Sequence, residues 1–389
     1  MFLGKIKLEN ILSFKDAELE LRPLNVLIGA NASGKSNLIR ALGLVKSLPR
    51  DMQKEISDGG GPAAWINRKT NGIARITLSQ LEGFASYTMA FKVTVQTYEI
   101  VEEFAPGVFR RDFGKLNIPG NNPDADLAER TRVRETFNLH EYLENEAKLA
   151  ALLLSSQQSV LTQVRIPGRP IAALAGLLDG IRLYREFKTG PGTQARLGIN
   201  ASALAEFLSE DGSNLALVLN ELNLQSSLKR VNEVLHRFCD FLTDVVPATR
   251  GGITQLYVRE EGVAEAFAAA SLSDGTLRLL CLLAALLCPT PPPLVCIEEP
   301  EMGMHPDAIR MIADLLVEAS SRTQLIVTTH SPALVDALSD QPESVVVCER
   351  DFDGFTEFRR LQSADLDAWL ERYSLGELWQ KGEIGGNRW

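Results

Sequence analysis

The sequence lacks the features that mark membrane, secreted and disulfide-rich proteins. A membrane-spanning helix needs about 18 consecutive apolar residues, and no apolar run in the sequence approaches that length. Charges at Lys5, Lys7 and Glu9 interrupt the apolar segment that a signal peptide would require. The 5 cysteines include no CxxC pair, so we expect neither a disulfide framework nor a zinc site. These absences predict a cytoplasmic protein that does not contact a membrane.

The sequence also has no excess of positive charge. Its 40 Lys and Arg residues face 50 Asp and Glu residues, which gives a net charge of −10. A contact with nucleic acid would therefore have to come from a local basic patch. A length of 389 residues with 45% apolar residues is typical of a globular protein. At about 150 residues per domain, it corresponds to about two or three domains, or to one large domain with insertions.

Apolar periodicity predicts an α/β protein. Alternation of period two over Ala17–Arg22 indicates a half-buried strand, and the continuous apolar run Leu24–Gly29 indicates a strand buried on both faces. We predict a helix over 35–48, an antiparallel sheet over about 73–111, and mainly helices over 129–245. Helices and strands then alternate, with predicted bounds of 277–287, 294–297, 306–318, 324–328, 332–338 and 344–348.

A phosphate-binding loop is the most specific motif. Residues 29–36, GANASGKS, match the GxxxxGKS pattern, follow the buried strand and open a helix. Glycines let backbone N–H groups turn towards phosphates, and the helix N-terminus adds partial positive charge. We expect Lys35 to reach the β- and γ-phosphates of ATP and Ser36 to bind Mg²⁺. The predicted nucleotide-binding residues of this loop are Asn31, Ala32, Ser33, Gly34, Lys35, Ser36 and Asn37.

Two adjacent carboxylates complete the predicted hydrolytic site. Glu298 and Glu299 follow the apolar strand 294–297. A nucleotide site that hydrolyses needs a carboxylate for Mg²⁺ and a group that positions water. We assign Glu298 to Mg²⁺, through water, and Glu299 to the attacking water. The alternative is an acidic strand end within a loop.

Two further segments indicate the subclass. Residues 271–276, SLSDGT, precede the carboxylates by about one helix, and His330 lies at the end of the next strand. Together the four segments run in the order phosphate loop, LSxG, paired Glu, His. This set resembles the ABC-type ATPase heads of the SMC and RecF group. It resembles most closely the smaller AAA-family ATPases related to the heads of OLD-type nucleases, of the kind found in two-gene defence loci. The resemblance covers roughly 1–50 and 265–361, with looser matches between them.

The resemblance implies a fold class and a dimer. The fold is a P-loop NTPase with an ABC-type head, in which a mainly parallel sheet is joined by an N-terminal antiparallel β subdomain and a helical insertion. Region 1–128 would hold the first part of the ATPase lobe, with the phosphate loop and the antiparallel β subdomain, and region 129–262 would be the helical insertion. Region 263–389 would hold the second part of the ATPase lobe, with the LSxG segment, the paired carboxylates, the histidine and the C-terminal tail. In the family each ATP lies between the phosphate loop of one subunit and the LSxG segment of the other. Ser273 and Gly275 would contact the γ-phosphate across a homodimer, although a plain helix cap is the alternative for this segment. His330 would contact the phosphate from the same subunit.

Three positions raise questions within this resemblance. Glu298 stands where the Mg²⁺ carboxylate is usually Asp, which leaves slow hydrolysis open. Asp274 stands where a second Gly is common, and it adds negative charge near the phosphates. The Gln that such heads use near Mg²⁺ is assigned to Gln163, with Gln80 as the second choice.

Three regions bear on what the ATPase acts upon. The stretch 165–196 is basic, and it predicts either a DNA phosphate contact or a solvated helix face. Residues 349–353 have the residue types of a nuclease metal site, but only 36 residues follow them, so a hairpin turn at Asp353 and Gly354 is favoured. The aromatic tail either docks a partner or packs on the core. The basic residues are Arg165, Arg169, Arg182, Arg185, Lys188 and Arg196, and the tail aromatics are Trp369, Tyr373, Trp379 and Trp389. Among the basic residues, the spacing of Arg182, Arg185 and Lys188 predicts a shared helix face.

The sequence therefore predicts an ATPase that binds ATP and Mg²⁺, dimerises on ATP and acts as a nucleotide-driven switch. Its partner would be a separate effector protein encoded nearby, for example a nuclease, in DNA-related or anti-phage defence. The alternative is an assembly module that holds ATP with little turnover. A nuclease contained within this chain is disfavoured.

Overall fold

The structure is a computed structural model that describes residues 1–67, 69–70, 72–94, 97–112, 115–117, 155–164, 167–204 and 206–386. Its strands are β1 Leu3–Ile11, β2 Phe14–Glu20, β3 Leu24–Ile28, β4 Ala74–Leu81, β5 Phe84–Val93, β6 Tyr98–Ala105, β7 Phe109–Asp112, β8 Lys115–Asn117, β9 Arg182–Tyr184, β10 Ile199–Asn200, β11 Leu242–Arg250, β12 Ile253–Glu260, β13 Phe267–Ala268, β14 Leu294–Glu298, β15 Gln324–Thr328, β16 Val345–Arg350 and β17 Thr356–Arg360. Its helices are α1 Lys35–Ser47, α2 Met52–Asp58, α3 Val160–Gln163, α4 Pro170–Asp179, α5 Gln194–Leu197, α6 Leu215–Leu224, α7 Leu228–Phe238, α8 Asp274–Leu286, α9 Pro306–Ser320, α10 Pro332–Asp336, α11 Ser363–Leu370 and α12 Leu375–Gln380.

Some predictions concern residues outside these described ranges. The predicted helical segment over 129–154, the basic residue Arg165 and the terminal Trp389 lie outside the described residues. None of the helices in the described ranges is long and apolar enough to cross a membrane.

The chain divides into two units, each built from separated segments. The first unit contains residues 1–22, 31–181 and 348–358. Its antiparallel sheet has seven strands in the order β2-β1-β4-β5-β6-β7-β8, which confirms the antiparallel sheet predicted near the N-terminus. Leu8 of β1 pairs with Ala17 on one side and Ile76 on the other, and all three side chains are buried. The period-two pattern therefore gives the sheet one apolar face.

The second unit contains residues 23–30, 182–347 and 359–389. A six-stranded sheet has the order β17-β16-β3-β15-β14-β9, and β3 pairs in parallel with β15 and β16. Strand β15 pairs in parallel with β14, which pairs in parallel with β9. All residues of β3 and β15 are buried, as expected for parallel strands covered on both faces. The predicted strands at 324–328 and 294–297 are confirmed.

The region that was expected to be mainly helical also contains strands. Arg182–Tyr184 is strand β9, so the prediction that Arg182, Arg185 and Lys188 share a helix face is wrong. Its residues Leu183 and Tyr184 are buried because the strand pairs with β14 in the core of the sheet. Leu228–Phe238 is helix α7, as expected for this region, but Leu242 begins strand β11 inside the stretch predicted to be helical. The division into regions 1–128, 129–262 and 263–389 stays a prediction.

The C-terminal aromatics differ in exposure. Trp379 lies on α12 and packs in the main core of the second unit, whereas Trp369 is exposed. Core packing therefore accounts for Trp379, whereas the side chain of Trp369 remains open to solvent.

Candidate active site

The phosphate loop has the backbone conformation that its motif demands. It begins where β3 ends, and Gly29, Ala32 and Gly34 have positive φ angles of 149°, 63° and 114°. Helix α1 begins at Lys35, with Gly34 as its N-cap, no side-chain cap and no acidic residue in the first turn. The N-terminus of α1 therefore offers partial positive charge that no neighbouring carboxylate of the helix offsets.

The β16–β17 hairpin supports the loop, which the sequence did not predict. The Thr356 hydroxyl donates to Ser33 O at 2.7 Å, and Arg350 Nε donates to Ala32 O at 2.7 Å. The Thr356 and Ser13 hydroxyls are 2.7 Å apart, and Asn37 Nδ2 donates to Ser13 Oγ at 2.9 Å. Asn37, predicted to bind nucleotide, thus anchors the first turn of α1 to Ser13.

The side chains of the loop fit a phosphate group. Lys35 is only 5% exposed, and a buried ammonium is costly unless anionic or polar groups surround it. Ser33 Oγ is buried and has no hydrogen-bond partner among the described residues. The Ser36 side chain is exposed at the start of the helix. A buried cation, an unpartnered hydroxyl and an uncapped helix N-terminus together match the chemistry of nucleotide phosphates.

The predicted carboxylates and His330 meet at one edge of the parallel sheet. In the register, Thr328 of β15 lies beside Leu27 of β3 on one side and Glu298 of β14 on the other. The carboxyl ends of parallel strands point to the same edge, so the residues that follow β3, β14 and β15 are neighbours there. The loop segment Gly29–Ala30, the carboxylate pair and His330 all begin at this edge within the second unit.

Glu299 contacts His330. Their Oε1 and Nε2 atoms are 3.8 Å apart, and both side chains are partly exposed. Glu299 has a φ angle of 48°, a conformation that is uncommon for residues other than glycine. Its N–H donates to Thr328 O at 2.9 Å, which holds this strained residue against β15. Backbone strain of this kind is concentrated at functional sites.

Glu301 is a site residue that the sequence analysis missed. Its Oε1 accepts hydrogen bonds from Thr329 Oγ1 at 2.6 Å and from His330 N at 3.1 Å. Its Oε2 is buried and has no hydrogen-bond partner among the described residues. Glu301 therefore fixes the backbone of His330. The sequence did show a third glutamate directly after Pro300. Periodicity, however, cannot predict that Glu301 binds His330, which lies 29 residues away.

Glu298 faces a cation. Its side chain is 19% exposed, and its Oε1 lies 3.6 Å from Arg185 Nε. The register explains the contact: Tyr184 of β9 lies beside Ile297, so the next residue of each strand is brought together. Arg185 was assigned to a basic surface stretch, yet it lies beside the predicted Mg²⁺ carboxylate.

The LSxG segment caps helix α8. Ser273 is the N-cap, and its Oγ accepts a hydrogen bond from Thr276 N at 3.1 Å. A Cβ atom on Gly275 would lie 2.9 Å from Gly303 O, so only glycine permits this approach. The Ser273 and Asp274 side chains are exposed. The cap is compatible with both predicted roles of this segment.

The order and geometry of these segments agree with a known family. The sequence profile of the AAA_21 family, described as "AAA domain, putative AbiEii toxin, Type IV TA system", matches residues 24–336. The chain belongs to this family. The AAA_21 chain is thus an ATPase of the AAA/ABC type, as its resemblance to the SMC, RecF and OLD group predicted.

Relatives and solved structures agree with this assignment. An OLD nuclease of Thermus scotoductus is 25% identical over an alignment of 398 positions, gaps included, that covers 96% of this chain and 67% of the nuclease. The crystal structure of an SMC head bound to the C-winged helix domain of ScpA has a TM-score of 0.55 at 12% identity, with 95% of this chain and 100% of that chain covered. An Smc head with an extended coiled coil, bound to the C-terminal domain of ScpA from Pyrococcus furiosus, has a TM-score of 0.53 at 12% identity, with 95% and 98% covered. These likenesses confirm the predicted P-loop NTPase fold of the ABC-head type.

In this AAA_21 chain the side chain of Gln163 binds the backbone of a turn, and its role near Mg²⁺ stays a prediction. Its Oε1 accepts from Ser155 N at 2.8 Å, and its Nε2 donates to Gln158 O at 2.9 Å. The side chain fixes the turn that precedes α3, so this arrangement does not favour a role near Mg²⁺. The second choice, Gln80, is exposed on β4 with a φ angle of 55°.

Three of the other charged candidates, Lys188, Arg196 and Asp351, have partners within the chain. Lys188 pairs with Asp211 at 3.8 Å, and Arg196 is buried beside Asp274. Asp351 Oδ1 accepts from Phe355 N at 2.8 Å, which confirms the predicted turn between β16 and β17. Within the described ranges, no group of three or more His, Cys, Asp or Glu side chains is arranged to hold a metal ion.

Proposed function

We propose that this AAA_21 chain hydrolyses ATP, dimerises on ATP, and acts as a switch for a separate effector protein in DNA-related or anti-phage defence. The observation that carries the proposal is the contact between Glu299 and His330 at the sheet edge where β3 leads into the phosphate loop. A carboxylate beside a histidine at such an edge is suited to positioning a water molecule next to a phosphate.

The phosphate loop would bind the nucleotide. Lys35 supplies the positive charge for the β- and γ-phosphates, and the backbone of Asn31–Asn37 supplies N–H donors. Ser36 and Glu298 would hold Mg²⁺, with Glu298 acting through water. When bound, Mg²⁺ would neutralise charge on the phosphate oxygens. Gln163 is left out of this site because its amide binds the turn before α3.

Glu299 would accept a proton from the attacking water or orient it. His330 would donate a hydrogen bond to the γ-phosphate from the same subunit. Glu301 supports this role because its hydrogen bonds fix Thr329 and the backbone N–H of His330. The strained backbone of Glu299 fixes the direction in which its side chain leaves the chain.

Ser273 and Gly275 would contact the nucleotide that is bound to the other subunit. Support comes from the resemblance to ABC-type heads, from the exposure of Ser273, and from its place at the N-terminus of α8. A Ser hydroxyl and helix N–H groups suit an anionic γ-phosphate.

A two-protein system is supported by the family description, which names a toxin of a type IV TA system. The likeness to an OLD nuclease supports a nuclease as the effector class. We do not assign DNA binding to the stretch 165–196, because Arg185, Lys188 and Arg196 have acidic partners within the chain.

One observation favours the alternative of an ATP-holding assembly module with little turnover. Arg185 lies 3.6 Å from Glu298, so a fixed cation competes with Mg²⁺ for the carboxylate. Steady-state ATPase rates, measured with and without DNA, separate the two functions.

The test of hydrolysis compares Glu299→Gln with Lys35→Ala. Glu299→Gln should lower turnover by about a hundredfold or more while ATP still binds, because it keeps the shape but removes the base. Lys35→Ala should abolish binding measured by calorimetry. Glu261→Gln and Lys54→Ala, which change exposed residues, should behave as the wild type. Full turnover in Glu299→Gln together with a trapped dimer in Glu298→Gln would reverse the two carboxylate roles, and unchanged affinity in Lys35→Ala would remove the site.

A further inference from the structure

Arg196 is a buried arginine that the proposed function does not use. It lies on α5 and is 9% exposed. Its Nη1 donates to Ala270 O at 2.8 Å and to Leu272 O at 2.7 Å. Its Nη2 donates to Asp274 Oδ1 at 2.6 Å, and its Nε donates to Thr189 O at 2.5 Å. Three of these four bonds end on residues 270–274, which form and precede the LSxG segment.

The planar guanidinium sets the conformation of that segment. Two carbonyls and one carboxylate are held by donors whose directions are fixed relative to one another. The two carbonyls flank Ser271 and therefore fix the entry of the chain into α8. A lysine could keep the charge but could not reach these acceptors at the same time.

The same arginine offsets the charge of Asp274. This residue stands where the family pattern commonly has a second Gly, and its carboxylate is exposed at the first turn of α8. An unpaired carboxylate there would repel a γ-phosphate. The hydrogen bond from Arg196 lowers the pKa of Asp274, so the pair stays ionised and carries no net charge.

We infer that Arg196 is the positioning residue of the signature segment, residues 271–275. It holds the segment in shape and neutralises Asp274, so that Ser273 and the N-terminus of α8 can face the nucleotide of the partner subunit. This inference rests on the proposed function, in which that segment completes the site of the other subunit. It also explains why a carboxylate is tolerated at a position that faces phosphate.

The experiment compares Arg196→Gln, Arg196→Lys and the double variant Arg196→Gln/Asp274→Asn with the wild type. Arg230→Gln is the matched control, because it removes an arginine whose carboxylate partners, Glu233 and Glu318, are exposed. Three quantities are measured: hydrogen exchange of residues 269–276 without nucleotide, affinity for a non-hydrolysable ATP analogue, and kcat.

For Arg196→Gln we expect exchange of residues 269–276 to rise about tenfold or more, with the rest of the chain unchanged. Nucleotide affinity should stay within about twofold, and kcat should fall about tenfold or more, because the phosphate loop is intact while the signature segment is not. The double variant should regain part of kcat, since it no longer carries the unpaired carboxylate. The kcat of Arg196→Lys should lie between those of the wild type and Arg196→Gln, because lysine keeps only the charge.

Exchange that rises across the whole chain would overturn the positioning role, and a double variant no faster than Arg196→Gln would overturn the neutralisation of Asp274. Wild-type exchange and kcat in both single variants would also overturn the positioning role. The exchange measurement needs no nucleotide. A wild-type protein that fails to hydrolyse ATP would therefore overturn the proposed function, while the exchange of residues 269–276 would still decide whether Arg196 positions the segment.

Discussion

Single residues explain how this site differs from the family pattern. Glu298, in place of Asp, extends its longer side chain to within 3.6 Å of Arg185. Arg185 is partly exposed, so water screens the pair and its net strength is about 0.2–1 kcal/mol. If Glu298 holds Mg²⁺ as proposed, that interaction would have to be given up, in whole or in part, when the cation binds.

Removing the charge of Arg185 should tighten metal binding. Arg185→Gln should lower the concentration for half-saturation by Mn²⁺, measured by electron paramagnetic resonance with an ATP analogue present, by about 1.5- to fivefold. Lys188→Gln, which removes a nearby cation paired with Asp211, should leave Mn²⁺ binding unchanged. Weaker Mn²⁺ binding in Arg185→Gln would instead assign Arg185 a direct role with the nucleotide.

At the scale of elements, the phosphate loop depends on the β16–β17 hairpin. Gly34 has a φ angle of 114°, and a Cβ atom there would overlap the side chain of Thr356. Gly34→Ala should therefore lower the free energy of unfolding by about 2–5 kcal/mol, of which about 1–2 come from the backbone and about 1–3 from overpacking. It should also impair nucleotide binding.

Urea unfolding of Gly34→Ala and Gly83→Ala separates these causes. Gly83 has a φ angle of 75° in the β4–β5 turn, and a Cβ atom there would meet open space. Gly83→Ala should therefore lower the free energy of unfolding only by the backbone cost of about 1–2 kcal/mol. Equal losses of unfolding free energy in the two variants would mean that Thr356 moves aside and that the hairpin does not constrain the loop.

The elements that the sequence predicted well are those with one dominant signal. Strand Gln324–Thr328 is centred on the apolar run Leu325–Val327, and α1 follows a specific motif. The β11–β12 hairpin was missed although its signals are present: Gly251 and Gly252 form the turn, and Thr254, Leu256 and Val258 alternate inward. Strand β9 has only three residues, and the spacing from Arg182 within it to Arg185 after it also fits a helix. The partners of Glu301 and Arg185 depend on the register of distant strands, and those of Arg196 on the LSxG side lie more than 70 residues away, information that local sequence does not contain.

At the scale of the whole molecule, the composite site predicts complementation between two inactive variants. Ser273→Arg should leave ATP binding by the protomer nearly intact but block hydrolysis, because a bulky cation replaces the hydroxyl at the N-terminus of α8. Lys35→Ala should not hydrolyse ATP at its own phosphate loop, because that loop no longer binds the nucleotide. A mixed dimer contains one doubly altered site and one site with both elements intact. ATPase activity should therefore return on mixing, up to about half of the wild-type rate per site if the two sites act independently.

Light scattering of the same mixtures measures whether the mixed dimer forms. Dimers without activity would mean that the two sites must act together, which is a coupling between the sites and not an error of geometry. Wild-type hydrolysis by Ser273→Arg alone would refute the composite site.

The position of β3 in its sheet has a consequence for biosynthesis. This strand lies between β15 and β16, and Leu27 pairs with Thr328, about 300 residues later in the chain. At a synthesis rate of about 5–20 residues per second, roughly 15–60 s separate the emergence of the two strands from the ribosome. The antiparallel sheet of the first unit pairs β1, β2 and β4 within the first 81 residues, so it can form long before β3 acquires its neighbours. A nascent or truncated chain would therefore carry the phosphate-loop sequence without the sheet that shapes it, and nucleotide binding would await the synthesis of β15 and β16.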